Sequence, residues 1–174
     1  EQAATAVQEL NPIVTRNTSP EHLRSAEFQV NALDYREQHL LSSVAQRIKR
    51  RLDSGMDSFQ AFNEVQDHLM SLAHAHVERV VIEQFAEGIE EIDDPELREV
   101  LEPMRDLYAM WRIHEDIGWF LENDYVVTEK AYAIRDQVNS LCDEVRDQAL
   151  HLVEAFGIPD KCLSAPVAFP NAAQ

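Results

Sequence analysis

The sequence predicts an all-α protein: an up-down-up-down four-helix bundle of long antiparallel helices, with an irregular N-terminal lead-in and a C-terminal tail. Apolar residues recur at spacings of three and four over long stretches, which is the period of one helix face. The connections between these stretches are only about five residues long, and such short connections place consecutive helices side by side and antiparallel. No stretch shows the alternation of apolar and polar residues that is typical of a strand.

The size of the chain fits one domain. It has 174 residues, of which 45% are hydrophobic, and a chain of this size buries roughly 70% of its unfolded surface. We divide it into a lead-in from a preceding domain over residues 1–24, a helical bundle over 25–163 and a tail over 164–174. The first residue is Glu1 rather than Met, so we expect a piece of a longer protein. No apolar run approaches the ~20 residues that a membrane-spanning helix needs.

The first two helices are predicted over residues 26–52 and 57–91. Asp53-Ser54-Gly55 ends the first helix, and Asp57 begins the second, with Gln60 completing a capping box. The second helix is apolar over more than one stripe, which indicates contact with two neighbours. The predicted inner positions are Leu33, Leu41, Val44, Ile48 and Leu52 in the first helix, and Phe62, Val65, Leu69, Leu72, Val80, Val81, Phe85 and Ile89 in the second.

The third helix begins at Asp94-Pro95-Glu96, which combines a capping side chain, a proline in the first turn and an acid near the positive end of the helix dipole. Pro103 falls inside the helical pattern. A proline removes one backbone hydrogen bond and clashes with the preceding turn. We therefore expect a short helix to residue 102 and a kinked or restarted helix to about residue 123.

The fourth helix has the clearest end. Thr128 is expected to cap its start, because the hydroxyl can accept from the first free backbone N–H groups. Gly157 can take the left-handed conformation that ends a helix, Ile158 can fold back on the last turn, and Pro159 prevents continuation. The predicted inner face is Ala131, Ile134, Val138, Leu141, Val145, Ala149, Leu152 and Phe156.

The charge of the chain excludes some classes of partner. The net charge is −17 and the pI is near 4.6, which argues against nucleic acid and anionic membranes, since both need a clustered basic surface. The basic cluster from Arg47 to Arg51 is explained by the dipole at a helix C-terminus. The acidic stretch over residues 83–106 is interpreted as a solvated face and loop.

Two cysteines are too few for a disulfide framework and fit a reducing, cytoplasmic compartment. Cys142 is expected to be a small buried hydrophobe.

The histidines do not form a di-iron site. That site needs Glu-x-x-His on two helices, and none of the residues three positions before the seven histidines is a carboxylate. His74 and His76 point to different sides of a helix, and His68 and His76 are interpreted as possible core histidines rather than metal ligands. There is no HExxH, CxxC or glycine-rich phosphate loop. We therefore assign no catalytic, cofactor-binding or metal-binding residue to this chain.

The third helix carries an aromatic set that permits two interpretations. Tyr108, Trp111, Trp119 and Phe120 could form a bulky core stripe, which we favour, or a ligand edge or docking face with Gly118 permitting close approach. His114 with Glu115 and Asp116 could be an acid/base cluster, but consecutive helix residues point to different faces.

Several segments resemble the C-terminal helical domain of the acyl-CoA oxidases. That family has a DLYAL-like segment, a G-W/D-F-L-like segment, and a helix with V-N-x-L and L-R-x-x-A-x-x-L-V-x-A-F. Ser19-Pro20-Glu21-His22-Leu23 also resembles the family's start of this domain. The matching segments are residues 106–109 (DLYA), 118–121 (GWFL), 138–141 (VNSL), 145–156 and 157–159 (GIP).

The resemblance implies an FAD-dependent flavoenzyme that introduces a trans double bond between C2 and C3 of a fatty acyl-CoA. In oxidases O₂ reoxidises the flavin and yields hydrogen peroxide. The family's catalytic glutamate and main flavin-binding segments lie upstream, so the fragment is expected to be inactive and free of FAD on its own. Its implied role is structural: it packs on the preceding domains and supports a homodimer. Eukaryotic relatives are peroxisomal, but this chain ends Asn171-Ala172-Ala173-Gln174 rather than in a Ser-Lys-Leu type of address.

Two other functions remain open from the residues. The chain could be a free-standing helical interaction module with an acidic face, and the coding sequence upstream of Glu1 would distinguish this from an enzyme fragment. A metal carrier based on His68, His74 and His76 is a weaker alternative. Metal analysis of untagged protein would test it.

Overall fold

The computed structural model describes residues 16–159 and 162, and within them it contains helices and no strand. The predicted all-α class is therefore confirmed. Residues 1–15 of the predicted lead-in and the tail over 164–174 lie outside the described residues. In chain order the helices are α1 (Pro20–Leu23), α2 (Ala26–Asp53), α3 (Ser58–Asn63), α4 (Gln66–Glu90), α5 (Pro95–Glu115), α6 (Ile117–Glu122), α7 (Thr128–Arg146) and α8 (Ala149–Ala155).

Helix α2 occupies the predicted range, but its inner face is rotated. Leu33 and Val44 are buried as predicted, whereas Leu41 and Leu52 are 48% and 43% exposed. At ~100° per residue, these two leucines lie roughly 80–100° around the helix from Leu33. From Leu33 the buried face extends around the helix mostly in the opposite direction to these two leucines, and it includes polar residues. The buried residues of α2 are Phe28, Gln29, Ala32, Leu33, Arg36, Glu37 and Val44.

The predicted second helix is divided in two. Asp57 caps α3 as predicted, accepting from the backbone N–H groups of Phe59 at 3.0 Å and Gln60 at 3.3 Å. The chain then leaves helical geometry at Val65 (φ −115°, ψ 13°), whose side chain is fully buried. This turn lets Val65 enter the core while Phe62 stays 50% exposed. The buried residues of α4 are Ala75, Glu78, Ile82, Ala86 and Ile89, so the prediction that Val80 and Val81 face inward is wrong.

The predicted restart of the third helix at Pro103 is wrong. Helix α5 runs through Pro103 without interruption. The lost hydrogen bond frees the carbonyl of Glu99, and because Glu99 is exposed water can bind that carbonyl. The chain instead leaves helical geometry at Asp116 (φ −100°, ψ 19°), after which α6 begins.

The fourth helix is also divided, by a turn at residues 147–148. Thr128 is the first helical residue and makes no capping bond, so its predicted capping role is wrong. Gly157 has φ +60° and ends the helical region as predicted. Ile158 does not fold back, since it is 58% exposed, and Phe156 is 74% exposed. The physical reason is the turn before α8, which carries that short helix away from the core face of α7.

The helices pack mainly in two pairs. Helix α2 packs along α4, and α5 packs along α7; α5 also contacts both α2 and α4, so it is the central helix. Helix α4 therefore has the two neighbours that its pattern predicted. Closure of the four long helices into an up-down-up-down bundle stays a prediction. The core cluster comprises Leu23, Phe28, Ala32, Leu33, Ile82, Ala109, Met110, Ile113, Phe120, Tyr125, Val126, Ile134, Val138 and Leu141.

Candidate functional site

A network of buried charges joins the three helices that meet at the centre of the fold. Glu78 of α4 lies between Arg36 of α2 and Arg112 of α5. Its Oε2 accepts from Nη1 of Arg36 at 2.8 Å, and its Oε1 accepts from Nε of Arg112 at 3.0 Å. The side chains of Arg36 and Glu78 are only 9% and 8% exposed. We call Arg36, Glu78, Arg112 and the adjoining Asp116 the interhelical charge network.

The outer edge of this network is more exposed. Nη2 of Arg36 lies 2.9 Å from Oδ1 of Asp116, and Arg112 also pairs with Glu115. Burial raises the pKa of Asp116 above its ordinary value, against the lowering effect of Arg36. Since both oxygens of Glu78 face guanidinium groups, this carboxylate orients helices and has no free oxygen aimed at a substrate.

A second charged group bridges α2 and α4 beside the network. Oε1 of Glu37 lies 2.9 Å from Nδ1 of His76, and Oε2 of Glu37 pairs with Arg79. Burial alone would raise the pKa of Glu37, but the hydrogen bonds from Arg79 and His76 hold that pKa below its ordinary value. Arg79 also donates to Glu83 at 2.5 Å. A carboxylate with a lowered pKa is a weak base and therefore a poor general base. We therefore assign Glu37, His76 and Arg79 a role in joining α2 to α4.

The DLYA segment supplies a third polar contact. Oδ1 of Asp106, which is 5% exposed, accepts from Nε2 of Gln29 at 2.9 Å and from Nη2 of Arg105 at 2.7 Å. Gln29 and Arg105 also donate to the backbone carbonyls of Leu23 and Arg24, at 3.2 Å each. These bonds satisfy the C-terminal end of α1, whose carbonyls lack partners within so short a helix. Asp106 therefore fixes α1 against α2 and α5.

A buried lysine lies on the other side of α1. The side chain of Lys130 is fully buried, with Nζ 3.1 Å from Nε2 of His22 and 3.8 Å from the centroid of the Phe28 ring. Burial lowers the pKa of Lys130 to about 8. Burial and the charge of Lys130 also lower the pKa of His22, so the neutral imidazole can accept a hydrogen bond from the ammonium group.

Lys130→Met is expected to raise the free energy of unfolding relative to the wild type by more at pH 7 than at pH 9.5. The folded pKa of about 8 lies below the ordinary 10.5, so the unfolded chain binds the proton more tightly. The charged lysine therefore costs stability at pH 7, and this cost fades as the pH rises from 8 towards 10.5. We expect a change of about 2 kcal/mol between the two pH values, measured by urea unfolding.

Lys49→Met is the matched control, because the side chain of Lys49 is 77% exposed. Its stability difference from the wild type should stay the same at both pH values. A Lys130→Met difference that is equally independent of pH would contradict the assigned burial cost.

The aromatic set divides between two places. Phe120 is fully buried and lies 5.5 Å from the ring of Tyr125, which lies 4.6 Å from Tyr35. Trp119 packs against Phe120 and, edge-on, against His39. Phe120 and Tyr125 belong to the core cluster, and Tyr35 and Trp119 pack against it, as the favoured interpretation predicts. A Cβ atom at Gly118 would meet nothing within 4 Å in the described structure, so Gly118 serves no close approach there.

Trp111 lies apart from that core and is 46% exposed. It borders an apolar hollow of about 310 Å³ between α5 and α7. A larger hollow of about 570 Å³ lies further along the same helices towards α8, and Val145 lines both. We call the two together the α5–α7 groove. Its apolar part is lined by Met104, Leu107, Tyr108, Trp111, Cys142 and Val145, and its acidic part by Glu96, Glu99, Val100, Pro103, Glu144, Val145, Gln148 and Leu152.

The histidine and cysteine side chains that the sequence singled out do not come together in one site. Cys142 is exposed, so its predicted burial is wrong; it faces the groove rather than the core. The side chain of His76 is 55% exposed, so it is bonded to a neighbouring helix without being a core histidine. Residues 114–116 diverge as expected, since Glu115 turns to Arg112 and Asp116 to Arg36. Within residues 16–159 and 162, no three His, Cys, Asp or Glu side chains are grouped to hold a metal ion.

The network residues were not predicted from the sequence, although a signal for them exists. Glu78 occupies the same stripe as Ala75, Ile82 and Ile89 of α4. A charged residue on an apolar stripe indicates a buried partner of opposite charge, because an unpaired buried charge is costly. The partners are Arg36 and Arg112 of the facing helices, and identifying them needs the fold.

The fold and these contacts define an all-helical domain, in which charged side chains connect helices to one another. The family model for acyl-CoA oxidase matches residues 25–169. The chain therefore belongs to the acyl-CoA oxidase family. The peroxisomal acyl-coenzyme A oxidase 2 of Arabidopsis thaliana is 36% identical over 167 residues, which is 96% of this chain and 24% of that protein. The chain thus spans about a quarter of that relative.

Other relatives differ in length and in how closely they match. A putative acyl-coenzyme A oxidase of Arabidopsis thaliana is 28% identical over 91% of this chain and 83% of its own length. The crystal structure of acyl-CoA oxidase 1 from Yarrowia lipolytica matches 86% of this chain with a TM-score of 0.77 and 28% identity, over 22% of that protein. Acyl-CoA oxidase 1 of Caenorhabditis elegans, complexed with FAD and ATP, shares the fold with a TM-score of 0.77 at 18% identity, over 83% of this chain and 22% of its own. No helix of the described residues is long and apolar enough to cross a membrane.

Proposed function

We propose that this chain is the C-terminal structural domain of an FAD-dependent acyl-CoA oxidase. The full enzyme would form a 2-trans-enoyl-CoA from a fatty acyl-CoA and pass the electrons to O₂, giving hydrogen peroxide, in fatty acid β-oxidation. The observation that carries this proposal is the family match over residues 25–169 in a chain that spans only 24% of a much longer relative.

The role proposed for the domain is to support the upstream domains and a homodimer. Three of its polar groups, centred on Glu78, Glu37 and Asp106, are used to join its own helices. We keep the proposed division into residues 1–24, 25–163 and 164–174, and we assign no catalytic, cofactor-binding or metal-binding residue. The proposed compartment is the cytoplasm, although the Arabidopsis relative is named as peroxisomal.

FAD does not fit the described part of the chain by itself. Its pyrophosphate needs backbone N–H groups at a glycine-rich turn or a basic lining. The larger of the two groove hollows carries Glu96, Glu99 and Glu144, whose carboxylates repel a pyrophosphate. We propose that FAD and the catalytic glutamate lie in the upstream domains of the full enzyme, as the resemblance to the family implies.

A hybrid enzyme tests this function. Replacing the matching segment of Arabidopsis acyl-coenzyme A oxidase 2 by this chain should give an enzyme that retains FAD and releases hydrogen peroxide from fatty acyl-CoA. The same relative without that segment is the control and should be inactive. The untagged chain alone should be colourless and without turnover. A folded hybrid that retains no flavin, or an isolated chain that binds flavin and turns over, would contradict the proposal.

A free-standing helical interaction module is the second candidate. It is favoured by the Arabidopsis relative of which this chain covers 83%. The coding sequence immediately upstream of Glu1 decides between the two. An open reading frame that ends there supports the free-standing module, and a flavin-binding domain there supports the enzyme.

A further inference from the structure

We propose that the α5–α7 groove is the docking site for an amphipathic helix from the part of the oxidase polypeptide that lies outside this chain, with apolar residues facing Trp111 and basic residues facing Glu96 and Glu99. The inference rests on the proposed function and adds to it the face of the domain that meets the rest of the enzyme and the chemistry of the segment that binds there.

The shape of the groove fits a helix. From Glu96 to Trp111 its wall follows sixteen residues of α5, and the fifteen steps between them span roughly 22 Å at ~1.5 Å per residue. Val145 lines both hollows, so the two lie next to each other between α5 and α7. A helix lying along such a groove places a side chain in it every three or four residues.

The lining of the groove specifies different chemistry at its two ends. At one end Leu107, Met104 and Trp111 form an apolar surface, and Trp111 is 46% exposed. A half-exposed tryptophan in an apolar hollow is typical of the residues that contribute most to protein interfaces. At the other end Glu96 and Glu99 line the hollow, and Glu144 there is held by Arg24 at 2.8 Å.

The charge at the acidic end selects the sign of the partner. Glu96 and Glu99 are exposed and lie in the first turns of α5, whose N-terminal dipole end offsets only part of their charge. The chain as a whole carries a net charge of −17. A segment with Lys or Arg at this end is therefore attracted, and an acidic segment is repelled.

The source of the partner follows from the length of the relatives. The chain spans 24% of the first Arabidopsis relative and 22% of the Yarrowia structure, so most of each relative lies outside the matched region. A segment on the same polypeptide is present at high effective concentration, and a modest apolar contact is then sufficient for occupancy.

The reactivity of Cys142 reports whether the groove is covered, since its thiol is exposed and lines the apolar end. Iodoacetamide alkylation, followed by mass spectrometry of the Cys142 peptide, is compared between the isolated chain and the hybrid enzyme. We expect alkylation to slow by at least about tenfold in the hybrid, the protection that ~1.4 kcal/mol of docking gives. Ser42→Cys, on the exposed side of α2, is the control thiol and should react equally in both.

Two groove variants make the result specific. In the hybrid, Trp111→Ala or the pair Glu96→Lys and Glu99→Lys should return Cys142 to the rate of the isolated chain. In the isolated chain the same variants should change that rate less than about twofold, because nothing from outside the chain is present to be displaced.

Each other outcome overturns the proposal. If the hybrid is active but Cys142 reacts as fast as in the isolated chain, the groove is not the docking face, while the proposed function stands. A folded hybrid that is inactive and retains no FAD overturns both. If deletion of residues 160–174 from the isolated chain accelerates alkylation, the chain's own C-terminal segment is the occupant. If alkylation of the isolated chain slows as its concentration rises, a second copy is the occupant.

Discussion

Glu78→Ala is expected to lower the free energy of unfolding by about 3–5 kcal/mol, because it leaves two guanidinium groups without their shared carboxylate. Glu78 is 6% exposed and contacts Arg36 and Arg112 from two different helices. A buried charge without a partner costs much more than the net contribution of the intact pair. Urea unfolding of the chain at pH 7, followed by circular dichroism, measures the loss.

A matched pair of variants separates this mechanism from a simple loss of packing. Glu115→Gln removes a carboxylate that is 43% exposed and pairs with the same Arg112, and it should cost less than about 1 kcal/mol. The double variant Arg36→Met, Glu78→Leu should be more stable than Glu78→Ala, since it removes two of the buried charges together. The matching single variants are Arg36→Met and Glu78→Leu. If the double variant loses as much free energy of unfolding as these two single variants added together, the proposed coupling is contradicted.

Leu141→Ala is expected to destabilise the chain by about 2–5 kcal/mol, the range for truncating a buried leucine. Leu141 is fully buried and lies in the core cluster with Ile134 and Val138 of α7. The lost methyl groups leave a cavity between α7 and its neighbours that the rigid helices fill only partly. The free energy of unfolding from urea denaturation gives the value directly.

Leu150→Ala is the control for this prediction. Leu150 follows on the same stretch of sequence but is 69% exposed, so its truncation should change stability by less than about 0.5 kcal/mol. A Leu141→Ala loss well under 1 kcal/mol would mean that the inner face of α7 is placed wrongly.

The helical period predicted where the helices lie but only part of which side they bury. Leu33, Ile134, Val138 and Leu141 were identified correctly because they sit at the centre of strong apolar stripes. Leu41 was predicted wrongly, because α2 turns a partly polar face towards the core. Burial of a polar side chain is favourable only when a hydrogen-bonding or oppositely charged partner lies on the facing helix. The period of one helix carries no information about that partner.

The interruptions were harder to predict than the helices. Pro103 signals a break, yet the helix tolerates it because the freed carbonyl of Glu99 is on an exposed residue. The breaks at Val65 and Asp116 have no glycine or proline signal; they arise where packing turns a side chain towards the core or towards Arg36. The groove was also unpredictable, since it depends on the spacing between α5 and α7. The aromatic residues on α5 were identified, but the sequence favoured the core for Trp111.

The position of α1 has a consequence for the rate of folding. Arg24 pairs with Glu144, which is 120 residues further along the chain, and His22 contacts Lys130, which is 108 residues away. Contacts between such distant residues require closure of a very long loop, and proteins rich in them fold more slowly than helical proteins with only local contacts. Helix α1 should therefore dock late, after α5 and α7 have paired, and substitutions at Arg24 should accelerate unfolding while leaving the folding rate almost unchanged.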